Sequence, residues 1–328
     1  MRFGPVPLTH ATGAILAHSA SLRGGRLAKG RVLTDADIAR LAAEGWSDVI
    51  VARPGPDDVP EDAAAARVAA SIATTAAGLR AGPAATGRAN LYACGPGIVG
   101  IDAAAVTALN AIDPALTLAT LPPWRRVAEG GMVGTVKIIA YAVPAASVAR
   151  AEATAAGAMT LHPPVFRTAH LIETSVGDAP GDKGRRALAT RLARLGVALR
   201  AGRQIVAHDT TALAGALTDA PGDMLFVLTG SATSDPGDVG PAALRAAGGT
   251  VERFGIPVDP GNLLFLGHLG DRPVIGLPGC ARSPALNGAD WVLERVICGM
   301  PPAPADFAAM GVGGLLKEIP SRPRPREG

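Results

Sequence analysis

Aromatic residues make up only 3% of the 328 residues, and cysteine occurs just three times, at Cys94, Cys280 and Cys298. So few rings exclude a core or ligand platform built on large aromatics, and leave closely packed Ala- and Gly-rich helices with tight turns. The cysteines lie far apart without C-x-x-C spacing, which excludes a zinc ribbon or a disulfide framework and makes a reducing cytoplasm the default compartment. No run of about eighteen apolar residues occurs, and the opening MRFGPVPLTHATGAILAHS has no continuous apolar stretch behind a basic start. Neither a membrane span nor a secretion signal is therefore expected. Strong charge of one sign is missing too, with 31 Lys and Arg against 28 Asp and Glu for a net of +3. Arg185, Arg186, Arg191 and Arg194 read as a solvated helix face rather than a nucleic-acid footprint. What is present is 48% hydrophobic residues, enough at this length for two domains with separate cores.

Residues 1–164 read as a mixed α+β region. Short strands are expected at Ala14–Ala17, Arg31–Leu33 and Asp48–Ala52, and Thr34 or Asp35 can cap a helix over 36–44 that Gly45 ends. A long Ala-rich helix over Glu61–Leu79 follows, then a Gly/Pro-rich passage at 95–100. Thr117–Leu121 and Met132–Ala140, with the Glu129-Gly130-Gly131 turn, form a small β-unit. His162-Pro163-Pro164 marks the boundary.

Over residues 165–300 the pattern becomes regular alternation. Strands are expected at 168–173, 203–207, 224–228, 263–266 and 273–277, and helices at 183–195, 211–217, 241–247 and 287–298. Such alternation implies an α/β domain with a mostly parallel sheet between helices, a three-layer arrangement in which ligands bind outside the carboxyl ends of the strands. Residues 301–328, ending in SRPRPREG, read as a flexible tail.

Four loops rich in small, polar or acidic residues then fall on one edge. They are Glu173–Lys183, His208-Asp209-Thr210, Thr229–Asp238 and Leu277–Pro284. Gly230 and Gly279 allow close approach of backbone to a ligand, helix starts offer free N–H groups, and Thr229, Ser231, Thr233, Ser234 and Ser283 add hydroxyls. Asp182, Asp209, Asp235 and Asp238 supply acceptors or Mg²⁺ ligands. Each feature also has a plain structural meaning. Asp209 suits an N-cap, Asp235-Pro236-Gly237 an ordinary turn, and Gly276–Gly279 the end of a strand. His208 and His268 stand singly, and Cys280 has no partner His by spacing.

Order and spacing add to this. Thr229-Gly-Ser-Ala-Thr-Ser-Asp-Pro-Gly-Asp238 resembles the S-G-G-x-S-x-G-x-x-D loop of the molybdopterin-binding domain of molybdopterin adenylyltransferases and molybdopterin molybdenumtransferases. Pro257–Asn262 resembles that family's P-G-K-P turn, and Val274–Ser283 resembles V-x-G-L-P-G-N-P-x-S. Lys29–Ala52 resembles a segment that precedes the domain in the molybdenumtransferases. Ser231, Asp235-Pro236, Asn262 and Cys280 depart from the motifs. The resemblance implies a molybdopterin-binding fold, with Thr229, Gly230, Ser231, Thr233, Ser234, Asp209, Gly261, Asn262, Pro278, Gly279 and Ser283 around the pterin and its phosphate. It implies Asp182 and Asp238 as catalytic residues that also hold Mg²⁺ or molybdate, in a transferase acting at or beside molybdate insertion. A non-catalytic cofactor carrier or sensor that docks a partner protein is the alternative. A generic nucleotide-binding enzyme ranks third, because no G-x-G-x-x-G or G-x-x-x-x-G-K-[ST] run is present. The partners implied are a second copy of the chain, a cofactor nucleotidyltransferase or a molybdoenzyme.

Overall fold

The structure is a computed structural model and describes residues 1–316. Of the tail expected over 301–328, residues 317–328 lie outside the described residues. The chain divides into two compact units, Met1–Gly95 with Val99–Leu161, and the part from His162 onward with Pro96–Ile98.

In the first unit, Leu8, Leu16, Leu27, Leu33, Leu41 and Val51 share one small core. They surround a three-stranded antiparallel sheet in which Asp48–Arg53 lies between Arg2–Pro7 and Ile15–Leu16. The helix Asp35–Ala43 starts on a reciprocal cap, since Thr34 Oγ1 accepts the Asp37 N–H and the Asp37 carboxylate accepts the Thr34 N–H. A larger core joins Ala65, Val68 and Ile72 of the helix Glu61–Ile72 to Val148 and Ala151 of Ala145–Ala155 and to the strands beneath. Those strands form a four-stranded antiparallel sheet of Leu116–Thr120, Met132–Ile138, Arg88–Ala93 and Leu79–Ala81. The mixed α+β character is as the sequence reads, but three details differ. The Ala-rich helix stops at Ile72 instead of Leu79, because Thr74 accepts the Ala77 N–H and Gly78, at φ +66°, turns the chain into the next strand. Arg31–Leu33 makes only an isolated bridge between Val32 and Ile15. The passage at 95–100 is not all turn, since Gly97–Ile101 is a strand.

The second unit is built on a seven-stranded sheet. Its elements are β1 (Thr168–Ser175), α1 (Lys183–Ala193), β2 (Ala198–Leu199), β3 (Gln204–Ala207), α2 (Thr210–Asp219), β4 (Met224–Leu228), α3 (Val239–Ala246), β5 (Thr250–Phe254), β6 (Phe265–Leu269), β7 (Arg272–Leu277), α4 (Gly288–Ile297) and α5 (Pro304–Ala309). The order is β2-β1-β4-β7-β6-β5, with β3 also on β1. Every pairing among β1, β2, β3, β4 and β7 is parallel, and β6 runs antiparallel to β7 and β5. All five residues of β4 are buried, as an interior parallel strand requires. On one face Ile172, Leu225, Val227, Phe265 and Val274 pack against Leu213 and Leu217 of α2 and Ala243 and Leu244 of α3. Alternation turns Leu228 to the other face, where α1 rests so closely that a Cβ on Gly184 would lie 2.4 Å from Leu228 Cδ2.

The sequence misses β2 and β5 and sets β6 two residues early. The tail expected from residue 301 is also corrected. α5 is a helix whose Phe307 is buried and whose Asp306 accepts a hydrogen bond from Arg295 at 2.8 Å. Among the described residues no helix is long and apolar enough to cross a membrane.

Candidate functional site

Because β1, β3, β4 and β7 run parallel, the segments that leave their carboxyl ends emerge along one edge of the sheet. The centre of this edge is the peptide unit between Thr229 and Gly230, just after β4. Its carbonyl oxygen accepts from Arg282 Nη2 at 2.9 Å, and its N–H donates to Thr174 Oγ1 at 2.8 Å. Thr174, next to last in β1, is fully buried and bonds His208 Nδ1 at 2.8 Å. One peptide is thus held at both ends by side chains from two other strand ends, which fixes where the following loop begins. A Cβ on Gly230 would fall 2.8 Å from Thr174 O, so this approach admits only glycine.

Along that loop the hydroxyls divide into two sets. Thr229 and Thr233 are buried, with Thr229 Oγ1 donating to Ser231 O at 2.6 Å and lying 3.3 Å from Thr233 Oγ1. They stiffen the loop from within. Gly230, Ser231 and Ser234 are exposed. Asp238 caps α3: its Oδ1 accepts the Val239 N–H at 2.8 Å and its Oδ2 accepts the Ser234 N–H at 3.1 Å. Asp235 Oδ1 accepts the Gly237 N–H, the ordinary turn anticipated for Asp235-Pro236-Gly237. Asp209 caps α2 by accepting the Ala212 N–H at 2.9 Å.

Asp182 is the N-cap of α1 but makes no side-chain cap bond, which leaves that helix start without a capping acceptor. Its carboxylate, with 58% of the side chain exposed, lies 3.0 Å from Arg203 Nη1. The same guanidinium bonds the buried Glu173 Oε2 at 3.0 Å and Pro180 O at 2.6 Å, drawing the loop after β1 down onto the sheet. Glu173 Oε1 is buried and makes no hydrogen bond.

The loop after β7 is held by Arg191, one of the four arginines read as a solvated face. That reading is corrected: Arg191 is only 4% exposed. Its Nε donates to Asp290 Oδ1 at 2.6 Å, its Nη1 to Ala281 O at 2.8 Å, and its Nη2 to Ser283 O and Ala285 O. Pro278 is buried, while Gly279 and Cys280 are exposed. Ser283 Oγ accepts the Ala285 N–H at 3.3 Å. Asn287 caps α4 and donates from Nδ2 to Cys280 Sγ at 3.1 Å. Gly261 packs against the same helix start, where a Cβ would lie 2.5 Å from Gly288 N. Asn262 O accepts the Ile256 N–H, and its residue lines a cavity of about 430 Å³ with Pro257, Val258, Asp259 and Gly314.

The edge therefore brings together Thr229, Gly230, Ser231 and Thr233 through the pinned peptide, and Pro278, Gly279 and Ser283 through Arg282 and Arg191. Asp182, Asp209 and Asp238 sit at three separate helix starts, each with its own partner. Gly261 and Asn262 support α4 and the cavity beside it. Sequence reasoning passed over Thr174, Arg191, Arg203 and Arg282, which hold the loops in place. The available signal was position, since Thr174 stands on β1, Arg191 on α1, Arg203 just before β3 and Arg282 just after β7. Among the described residues no group of three or more His, Cys, Asp or Glu could hold a metal ion.

Residues 5–53 match a family described as a domain of unknown function, DUF8806. No curated protein matches the chain. Among solved structures, the chain is similar to the molybdopterin biosynthesis MoeA protein from Pyrococcus horikosii, with 14% identity over 94% of this chain and 76% of that one and a TM-score of 0.29. It is also similar to molybdenum cofactor biosynthesis protein B, with 16% identity over 42% of this chain and 96% of that one and a TM-score of 0.30.

Proposed function

We propose that the carboxyl edge of the seven-stranded sheet binds molybdopterin, with or without molybdenum, and that the protein takes part in molybdenum cofactor biosynthesis. The observation that carries the reading is the doubly held Thr229–Gly230 peptide. It ties the loop resembling S-G-G-x-S-x-G-x-x-D to the loop resembling L-P-G-N-P-x-S, and Gly230, Ser231, Ser234 and Gly279 on these loops are exposed. Such a cradle of amides and hydroxyls suits a phosphorylated, oxygen-rich ligand. Thr229 and Thr233 shape this cradle from inside, while Gly230, Ser231, Ser234 and Gly279 meet the ligand.

In the enzymatic form of this reading the protein is a transferase at molybdate insertion, and Asp182 and Asp238 act on the reacting anion. Among the described residues Mg²⁺ would find no cage of protein carboxylates. Asp182, the more exposed carboxylate, would be the side chain open to a Mg²⁺ held by the ligand's phosphate, where the ion would screen the anionic charge.

A carrier or sensor that presents the cofactor to a partner, such as a molybdoenzyme or a second copy of the chain, is the second reading. Both oxygens of Asp238 accept backbone N–H groups and Asp182 pairs with Arg203, which favours binding over chemistry. The test is anaerobic mixing of the purified protein with molybdopterin released from a molybdoenzyme, followed by gel filtration and fluorescence of the oxidised pterin. Co-elution at one per chain is the expected result, and its absence removes the proposal. Conversion of bound molybdopterin on adding molybdate and Mg²⁺ separates the transferase from the carrier.

A further inference from the structure

The geometry points to Arg282 as the residue that anchors the phosphate monoester of the bound ligand, an assignment that rests on the binding reading above. Arg282 ends the short 3₁₀ turn Gly279–Arg282 after β7 and is half-buried. Three arginines of this unit have carboxylate partners, Arg191 with Asp290, Arg203 with Glu173 and Asp182, and Arg295 with Asp306, whereas Arg245, Arg253 and Arg272 donate to carbonyls away from the Thr229–Gly230 peptide. Among the described residues no carboxylate pairs with Arg282. Its one bond runs from Nη2 to the Thr229 carbonyl, a neutral acceptor. A guanidinium drawn out of water without a counter-charge is costly, and an anionic ligand supplies what is missing.

Position sharpens the assignment. The Arg282 methylenes lie across the first turn of α1, with Cγ 3.2 Å and Cδ 3.9 Å from where a Gly184 Cβ would stand. Nη1 lies 3.5 Å from the corresponding point on Gly279. The group is thus fixed at one corner on Thr229, and Nε and Nη1 keep donors to spare among the three loops. A planar guanidinium held at one nitrogen presents its remaining donors in fixed directions suited to phosphate oxygens, a geometry that lysine cannot reproduce. The uncapped start of α1 and the exposed Lys183 stand next to it and can meet a further oxygen. Glu173 and Asp182 are both bound by Arg203, and neither forms an ion pair with Arg282.

The experiment compares a pterin carrying a terminal phosphate monoester with its dephosphorylated form, by calorimetry on wild type, Arg282→Gln, Arg282→Lys and Thr174→Val. Arg282→Gln is expected to weaken the phosphorylated pterin about tenfold to a hundredfold, as loss of charge-assisted hydrogen bonds implies. The dephosphorylated form should change by less than about twofold. Arg282→Lys should recover only part of the loss. Thr174→Val releases the other end of the same peptide without touching charge. Equal losses in Arg282→Gln and Thr174→Val, or equal losses for both pterins, would mean that Arg282 only shapes the loop and would overturn the assignment. Inorganic phosphate and molybdate, titrated separately, identify the anion: binding of molybdate but not phosphate that depends on Arg282 also overturns it. Molybdopterin binding untouched by Arg282→Gln removes the anchor and leaves the binding reading. Arg282-dependent phosphate binding without molybdopterin binding does the reverse.

Discussion

Arg191 Nε lies 2.6 Å from Asp290 Oδ1, with both side chains almost wholly buried, so an ion pair joins α1 to the first turn of α4. The loop resembling L-P-G-N-P-x-S is strung between them through the carbonyls of Ala281, Ser283 and Ala285. Asp290 Oδ2 also accepts the Asn287 N–H, so the pair and the helix cap share one carboxylate.

Removing one partner leaves the other charged, buried and unmatched, at a cost of about 3–5 kcal/mol. Arg191→Met and Asp290→Leu are each expected to lose stability of that order in urea titrations. The double variant Arg191→Met/Asp290→Leu should be less unstable than the two losses added together. Additive losses would show that the two side chains do not act as a pair.

How far this was legible in the sequence depends on whether the signal is local. The Thr34–Asp37 box, the Asn287 cap and the all-apolar Met224–Leu228 announce themselves within a few residues, and the elements they define stand within two residues of the expected bounds. The Ala-rich helix ran too long on paper because composition gave no hint that the Thr74 hydroxyl would take over a backbone N–H. Arg191 was unreadable for another reason. Its partners lie ninety and more residues away in sequence, so nothing around it distinguishes a clamp from a solvated face. Candidate loop residues could be listed from composition, but which hydroxyls face inward, as Thr229 and Thr233 do, depends on neighbours that only the fold supplies.

Gly276 lies within β7 opposite Phe265 of β6, and a Cβ there would stand 1.9 Å from Phe265 Cε1. This glycine of the motif serves packing, so Gly276→Ala should cost at least about 1–3 kcal/mol by overpacking. Adding Phe265→Leu opens the space and should return part of the loss. A Gly276→Ala protein as stable as wild type in chemical denaturation would disprove the close packing.

Asp37 is held below the ordinary carboxylate value of 3.8, first by its hydrogen bond from Arg31 and further by the N–H and hydroxyl of Thr34. A lowered folded-state pKa gives stability that is fully present above 3.8 and drains away as pH falls through the folded value. Asp37→Asn should therefore be less stable than wild type by about 1 kcal/mol at pH 7. The difference should shrink once the pH drops below 3.8, read by thermal melts across the acid range. A gap that stays constant down to the acid limit would count against the charged cap.

Cys298 closes α4 in the core, and burial pushes its thiol up to about 12, with the Glu294 carboxylate adding to the rise. The thiolate is the reactive form, so near pH 8 Cys298 is both unionised and covered. Cys94 and Cys280 are exposed. A disulfide reagent added to native protein at that pH should titrate Cys94 and Cys280 at once and reach Cys298 only after denaturant is added. Cys280 lies on the candidate site with an Asn287 N–H directed at its sulfur, so a ligand bound there should slow its modification while leaving the rate at Cys94 unchanged. Equal protection of both thiols would place the ligand's effect elsewhere, and rapid labelling of Cys298 in native protein would contradict its burial.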